Sequence, residues 1–322
     1  MNDINSSYYS RVYDYFCGAR IKEDDLLNPQ ISIDDGRQKK TVHLPRHTPE
    51  KIEYAKLARK IDQLLDKGQR HHLIENIIVH GSYGDYSANN YSDIDLTIMF
   101  NDNIFYNKTL LLQARKFVLR DVIPFSLQID PFQHHGPFIL WSGLLKHYEE
   151  SILPTAVYQH AWAAVKTEYT FCVSHAVSDD YKLNLTCEKV FSLGKMSVKT
   201  NDLYLTKRFL SNLMLIPAFF QLAQGKPCHK APAFKHFQAA MGSFEALSYA
   251  SAIRSDWPIL TFYRILGRLL TPLLLHKTLL TGIFLGRISR LFPHQFCIEH
   301  LKKCNTGLDS ICSAITRKMR NG

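Results

Sequence analysis

The chain contains no CxxC pair, no HExxH and no GxxxxGK[ST] segment. The first two absences remove the commonest zinc-ribbon and zinc-hydrolase patterns; the third removes a P-loop as the means of holding phosphates. Cysteine is sparse, with seven residues scattered at 17, 172, 187, 228, 297, 304 and 312 of 322 positions. An odd, dispersed set reads as free thiols in a reducing compartment, not as a disulfide scaffold. Cys297, Cys304 and Cys312, with His294 and His300, read as residues of helix faces. No uninterrupted apolar run is long enough for a membrane span. The nearest, Leu269 to Leu285, is broken by His276 and Lys277. The opening MNDINSSYYSRVYDYF has no basic stretch followed by an apolar one, so no secretory leader is expected. The expectation is a soluble, cytoplasmic chain without integral membrane association.

What is present is enough apolar sequence for a sizeable core: 46% hydrophobic against 21% charged, which excludes wholesale disorder. Charge is unevenly divided. Residues 1–180 hold 19 basic and 23 acidic side chains, a net of −4; residues 181–322 hold 20 and 6, a net of +14. A basic excess confined to one half suits a polyanionic partner. Along the chain, residues 1–49 read as an appendage, with a short helix from Ser6 to Cys17 closed by Gly18 and a polar passage from Lys22 to His47. Thr48-Pro49-Glu50 is a helix start, and Ile52, Ala55, Ile61 and Leu65 share one face of the helix that follows. Ile77-Ile78-Val79, Tyr91 to Phe100 and Pro124 to Ile129 are strand candidates, with a helix over 107–120. From Gly136 onward the stretches 137–152, 184–223 and 257–290 carry helical spacing. The organisation expected is a small α/β unit over 50–135 and a mainly helical, basic, acceptor-binding domain over 136–322.

The chemistry is concentrated in Val79-His80-Gly81-Ser82 and Asp93-Ile94-Asp95-Leu96. On a strand, positions i and i+2 share a face, so Asp93 and Asp95 project together while Ile94 and Leu96 enter the core. Adjacent carboxylates repel unless a cation sits between them, and hard oxygen donors favour Mg²⁺ or Mn²⁺. Gly81-Ser82 after a strand offers a tight turn, backbone N–H groups and a hydroxyl, the parts of an anion cradle. Together they describe a site for a metal-bound triphosphate, with Asp130, at the end of the Pro124–Ile129 strand, as the third acid. Lys195, Lys199 and Lys207 lie on expected helices that would close over a triphosphate; Lys195 and Lys207 are taken with Gly81 and Ser82 as nucleotide-binding candidates. The pairs His71-His72 and His134-His135 are adjacent, so on a regular element their rings diverge, and both read as surface histidines. Arg264, Arg268, Arg287 and Arg290 sit in pairs at helical spacing, as a nucleic-acid groove, a peripheral membrane face or plain snorkelling would place them.

Residues Val79 to Leu96, with Asp130, resemble the DNA polymerase β-like nucleotidyltransferase superfamily. Its fingerprint is an apolar residue, Gly, Gly or Ser, a gap of about ten, then acid–apolar–acid–apolar, with a third acid on a later strand. The close likeness covers roughly 75–131. A looser one runs from Lys207-Arg208-Phe209-Leu210 to Gln224-Gly225-Lys226-Pro227 and is similar to the helical domain of minimal nucleotidyltransferases. Where many subgroups place a basic residue after the Gly-Ser, this chain reads Tyr83-Gly84-Asp85-Tyr86. The resemblance implies an α+β fold: a small mixed sheet with flanking helices, then the helical domain. It also implies transfer of a nucleoside monophosphate from an NTP to an acceptor hydroxyl, with release of pyrophosphate and with Mg²⁺ or Mn²⁺ held by Asp93, Asp95 and Asp130. The basic half favours RNA, such as a tRNA 3′ end, or another nucleotide as acceptor. The alternatives are a nucleotide-binding regulatory or antitoxin-like module without turnover and a small-molecule (antibiotic-type) nucleotidyltransferase.

Overall fold

In a computed structural model, the residues described are 4–29, 38–47, 52–150, 152–174, 179–200, 202–226, 228, 230–257, 261–270, 280–291 and 298–320. Thr48-Pro49-Glu50, His294 and Cys297 lie outside them, as do His276 and Lys277. Helix α1 (Ile4–Phe16) ends before Gly18, whose φ of 102° turns the chain away. There follow β1 (Gln38–Leu44), α2 (Ile52–Gln69), β2 (Ile74–His80), the single turn α3 (Gly81–Gly84) and β3 (Asp95–Phe100). Next come α4 (Lys108–Phe117), α5 (Ile123–Ile129), β4 (Phe138–Leu140), α6 (Ser142–Leu145), β5 (Tyr148–Glu149), β6 (Trp162–Ala163) and β7 (Thr167–Ser174). Every described element after that is a helix: α7 (Asp179–Thr200), α8 (Leu203–Ala223), α9 (Lys230–Met241), α10 (Glu245–Ser255), α11 (Thr261–Leu270), α12 (Leu280–Ser289), α13 (Ile298–Thr306) and α14 (Leu308–Arg320). None of the described helices is long and apolar enough to cross a membrane.

The fold is α+β, with mixed sheets, flanking helices and a helical C-terminal region. The sheet that carries the acids has the order β4-β3-β2-β6. Strands β2 and β3 are antiparallel, with His80 opposite Asp95 and Val79 opposite Leu96; β4 adds to β3 in parallel. Both central strands are buried on both faces apart from Glu75 and the edge at Asp95, and Ile77-Ile78-Val79 and Ile98-Met99-Phe100 are accordingly continuous apolar runs. A second sheet, β1-β7-β5, pairs Gln38 to Leu44 with Thr167 to Val173.

Several expectations differ, and the strand expected from Tyr91 to Phe100 begins only at Asp95. Pro124 to Ile129 is helix α5, not a strand, and Pro124 stands in its first turn, where a missing N–H costs nothing. A short apolar run cannot be told from a buried helix by periodicity, and here Ile123, Phe125, Ser126 and Leu127 are all buried. Asp130 therefore follows a helix. The 137–152 segment is the strand β4, the single turn α6 and the strand β5. Finally, the packing does not divide at 49/50 or 135/136. One core takes in Tyr9, Val12, Tyr15 and Phe16 of α1, the strands β2 and β3, and Phe171 and Val173 of β7. The appendage is thus a wall of the α/β core, and the helical region begins at α7.

A second core, built by α7 to α14, also encloses Tyr91 and Phe132 from the α/β part. The tie between the two is Lys207 on α8, which is fully buried. Its Nζ donates to Asp130 Oδ2 at 2.6 Å and to the Tyr91 carbonyl at 2.6 Å. The Tyr91 hydroxyl returns a bond to the Lys207 carbonyl at 2.9 Å and meets Ser211 Oγ at 2.7 Å. Burial disfavours the ammonium, but Asp130 and then Asp93 outweigh it and raise the Lys207 pKa. Lys207→Met leaves Asp130 buried and unpaired, and should cost about 3–5 kcal/mol in urea unfolding. The double variant Lys207→Met/Asp130→Leu should recover most of that loss, because it removes both charges.

Candidate functional site

Strand β2 ends at His80 and the chain turns at Gly81, whose φ of +66° no side-chain-bearing residue adopts readily. The space above it is also taken: a Cβ built there would land on the Asp95 carboxylate. Glycine is required twice over, by the turn and by the close approach of the acid. Asp95 is the first residue of β3 and Asp93 stands just before it. The expected shared orientation is met: both carboxylates, with Gly81 and Ser82, line one cavity of about 400 Å³.

Of the two histidine pairs read as surface residues, His71 and His72 are exposed, but His134 and His135 are in this site. His135 Nε2 lies 3.4 Å from Asp93 Oδ2 and 3.2 Å from Asp95 Oδ1. His134 Nδ1 lies 3.8 Å from the same oxygen of Asp93. The divergence rule fails because 134 and 135 belong to an irregular loop, where the two rings meet edge to face at 5.0 Å. Gln133 fastens that loop, its Nε2 donating to the Ile94 carbonyl at 3.2 Å. His135 Nδ1 donates to the Gly136 carbonyl at 2.9 Å, which leaves Nε2 facing the acids. Burial works against charge on His135, but its bonds to Asp93 and Asp95 prevail and hold its pKa well above the imidazole range. Burial alone would raise Asp93; the Lys207 charge and His135 override it and hold that carboxyl well below its usual range. For His134, burial and the neighbouring His135 push the pKa down to about 3.

The remaining candidates do not reach the cavity. Asp130 is buried with Oδ2 on Lys207 and Oδ1 accepting the Phe132 N–H at 3.1 Å, an Asx-type turn. Lys207 is consumed by that pair, and Lys195 stands on the exposed face of α7. Arg254 of α10 does line the cavity, its guanidinium 4.6 Å from the centre of the Tyr91 ring. The far wall is apolar, formed by Leu153, Pro154 and Val157 on one side and by Met214, Leu215 and Phe234 from α8 and α9 on the other. Nothing in the spacing of Ala252-Ile253-Arg254 distinguishes Arg254 from other helix arginines.

Residues 59–129 match the family model described as Polymerase beta, Nucleotidyltransferase. This segment is similar to polymerase β-like nucleotidyltransferase domains. The match begins within α2, covers Gly81, Ser82, Asp93 and Asp95, and ends one residue before Asp130. Neither the curated proteins nor the solved structures compared with the chain gave a match. Nucleotidyltransferase domains of this type use divalent metals, and the residues present suit one. One ligand atom each from Asp93, His134 and His135 lies within 4.8 Å of the others, and His134 Nδ1 is buried without a hydrogen-bond partner.

The two opposed pKa shifts give metal-free protein a distinct pH dependence. His135 titrates higher folded than unfolded, so the stability it contributes is complete below about pH 6.5 and lost as pH rises through the raised value. Asp93 carries the opposite limb: its contribution is present above the ordinary carboxylate range and lost as pH falls through the lowered value. Thermal melts in chelator should show wild-type Tm declining on the alkaline side, and that decline should flatten in His135→Gln. Parallel alkaline declines in both proteins would assign the titration to another group.

Proposed function

We propose that this chain transfers a nucleoside monophosphate from an NTP to a hydroxyl of a polyanionic acceptor, RNA or another nucleotide, and releases pyrophosphate. The observation that carries the reading is the meeting of the Gly81 turn with Asp93 and Asp95 at one end of a cavity of nucleotide size. Asp93 and Asp95 would hold divalent metal, Mg²⁺ or Mn²⁺. Such an ion supplies charge neutralisation at the transferred phosphoryl group. The turn at Gly81-Ser82 receives the phosphate chain, and Arg254 adds the fixed positive charge that Lys195 and Lys207 do not provide. The apolar wall from Leu153 to Val157 and from Met214 to Phe234 accepts the flat face of a base. Reaction of this kind is positioning and electrostatics more than covalent chemistry by the protein, so rigidity of these groups matters most.

The acceptor reading draws on the basic half of the chain and on a second recess of about 360 Å³ lined by Lys56, Lys60, Arg264, Tyr54 and Tyr83. Tyr83 belongs to α3, so this recess adjoins the phosphate turn from the other side. Cations interleaved with aromatic rings suit a nucleic-acid strand. One observation favours a second reading, nucleotide binding without turnover: the third carboxylate, Asp130, is tied to Lys207 outside the cavity.

Incubation with each α-labelled NTP, Mg²⁺ or Mn²⁺, and either total RNA or no added acceptor separates the two. Transfer of label is expected in wild type. Asp93→Asn and Asp95→Asn should each lower it by roughly 10² or more while the circular dichroism stays native. Gly81→Ala should match them in activity and also lose about 1–3 kcal/mol of stability, because φ and space both oppose it. NTP binding in calorimetry without any transfer would leave the binding module as the reading.

A further inference from the structure

The two acids are not alone in presenting lone pairs to the cavity. His135 uses Nδ1 to donate to the Gly136 carbonyl at 2.9 Å, so Nε2 is the nitrogen that faces Asp93 Oδ2 and Asp95 Oδ1, 3.4 and 3.2 Å away. The Gln133 amide comes no closer than 3.5 Å to either ring nitrogen. A ring nitrogen held by a backbone carbonyl while the other faces carboxylates is the arrangement found around metal-ligating histidines. Something positive must sit among these atoms, a proton or a cation. A proton on Nε2 would satisfy His135, yet it leaves His134 Nδ1 buried, without a partner and turned toward Asp93 at 3.8 Å. A cation answers both nitrogens. Ligands about 2.1 Å from an octahedral ion stand about 3.0 Å apart along an edge, close to the His135 separations.

We infer that His135 Nε2, with His134 Nδ1 beside it, joins Asp93 and Asp95 as a metal ligand, making this a mixed nitrogen–oxygen site. It therefore prefers an imidazole-accepting transition ion such as Mn²⁺ over Mg²⁺. Mg²⁺ favours all-oxygen surroundings and retains its water; imidazole suits Zn, Cu, Fe and Ni best, and Mn²⁺, which also takes carboxylates, accepts it more readily than Mg²⁺ does. The assignment rests on the metal-dependent reading above but not on turnover, and it takes the third ligand from the histidine loop where the sequence pointed to Asp130.

The test is Mn²⁺ binding to the full chain, followed by electron paramagnetic resonance of the free ion, with Mg²⁺ as competitor and without nucleotide. Wild type should bind Mn²⁺ at least tenfold more tightly than Mg²⁺, and pulsed resonance should show nitrogen coupled to the bound ion. His135→Ala and the more conservative His135→Gln should each weaken Mn²⁺ by tenfold or more and Mg²⁺ by less than threefold. His135→Asp should shift the preference toward Mg²⁺. Melting curves in chelator identify any variant that fails to fold, and the nitrogen coupling in wild type then decides on its own. Equal Mn²⁺ and Mg²⁺ affinity, no nitrogen coupling, or no Mn²⁺ binding with or without a non-hydrolysable NTP would overturn the assignment. Selective Mn²⁺ binding without any nucleotide transfer would uphold it while refuting the enzyme.

Discussion

A single buried ammonium ties this structure together. Lys207 reaches from α8 into the α/β part, where it holds both the carbonyl of Tyr91 and the carboxylate of Asp130. Those two residues flank the site in sequence: Tyr91 leads into Asp93 and Asp95, and Asp130 leads into His134 and His135. Fixing both ends with one charge sets the acids against the imidazoles, and the same charge stabilises ionised Asp93. Such a pair need not add much net stability, since desolvation offsets attraction. Its contribution is registration of the helical region on the acid-bearing strands.

That registration shapes the cavity. Its polar end belongs to β2, α3 and β3, and its apolar end largely to α8 and α9, so neither part alone makes a nucleotide-sized space. The acid-bearing strands gain their rigidity from burial on both sides, including by α1, whose Val12, Tyr15 and Phe16 are fully enclosed. Like charges at Asp93 and Asp95 are sustained because His135 stands between them, not because solvent screens them.

How much of this was legible in the sequence follows from what each signal depends on. The Gly81-Ser82 turn and the Asp-Ile-Asp-Leu run were readable because both are local, a positive φ needing glycine and the two acids lying two residues apart, although Asp93 stands before the strand expected to orient it. Asp130 was misplaced because the run before it suits a strand or a helix equally, and only packing of Phe125 and Leu127 decides. Lys207 was taken for a nucleotide ligand because a lysine so rarely is buried that a structural ion pair gives no sequence signal. His134 and His135 were set aside by a rule for regular elements that an irregular loop does not obey. The strands β1 and β7 escaped notice because each is polar on its outer face and defined by a partner far along the chain.

That last pairing bears on how the molecule is made. Strands β2 and β3 align Ile74 with Phe100, so they can meet as soon as that stretch leaves the ribosome. Strand β1 must wait for β7, with Gln38 meeting Val173, and β2 stays open along one edge until Trp162 and Ala163 arrive. At common elongation rates the interval from β3 to β7 is about 4–15 s, long beside the microseconds of hairpin formation. For much of that time an apolar strand edge stands unpaired, and Asp93 and Asp95 repel each other until His135 is made midway through it; Lys207 follows only after β7. The nascent chain is thus most exposed to mispairing at the very strands that carry its chemistry, and a chaperone or an early-bound cation acting there would have the greatest effect on yield.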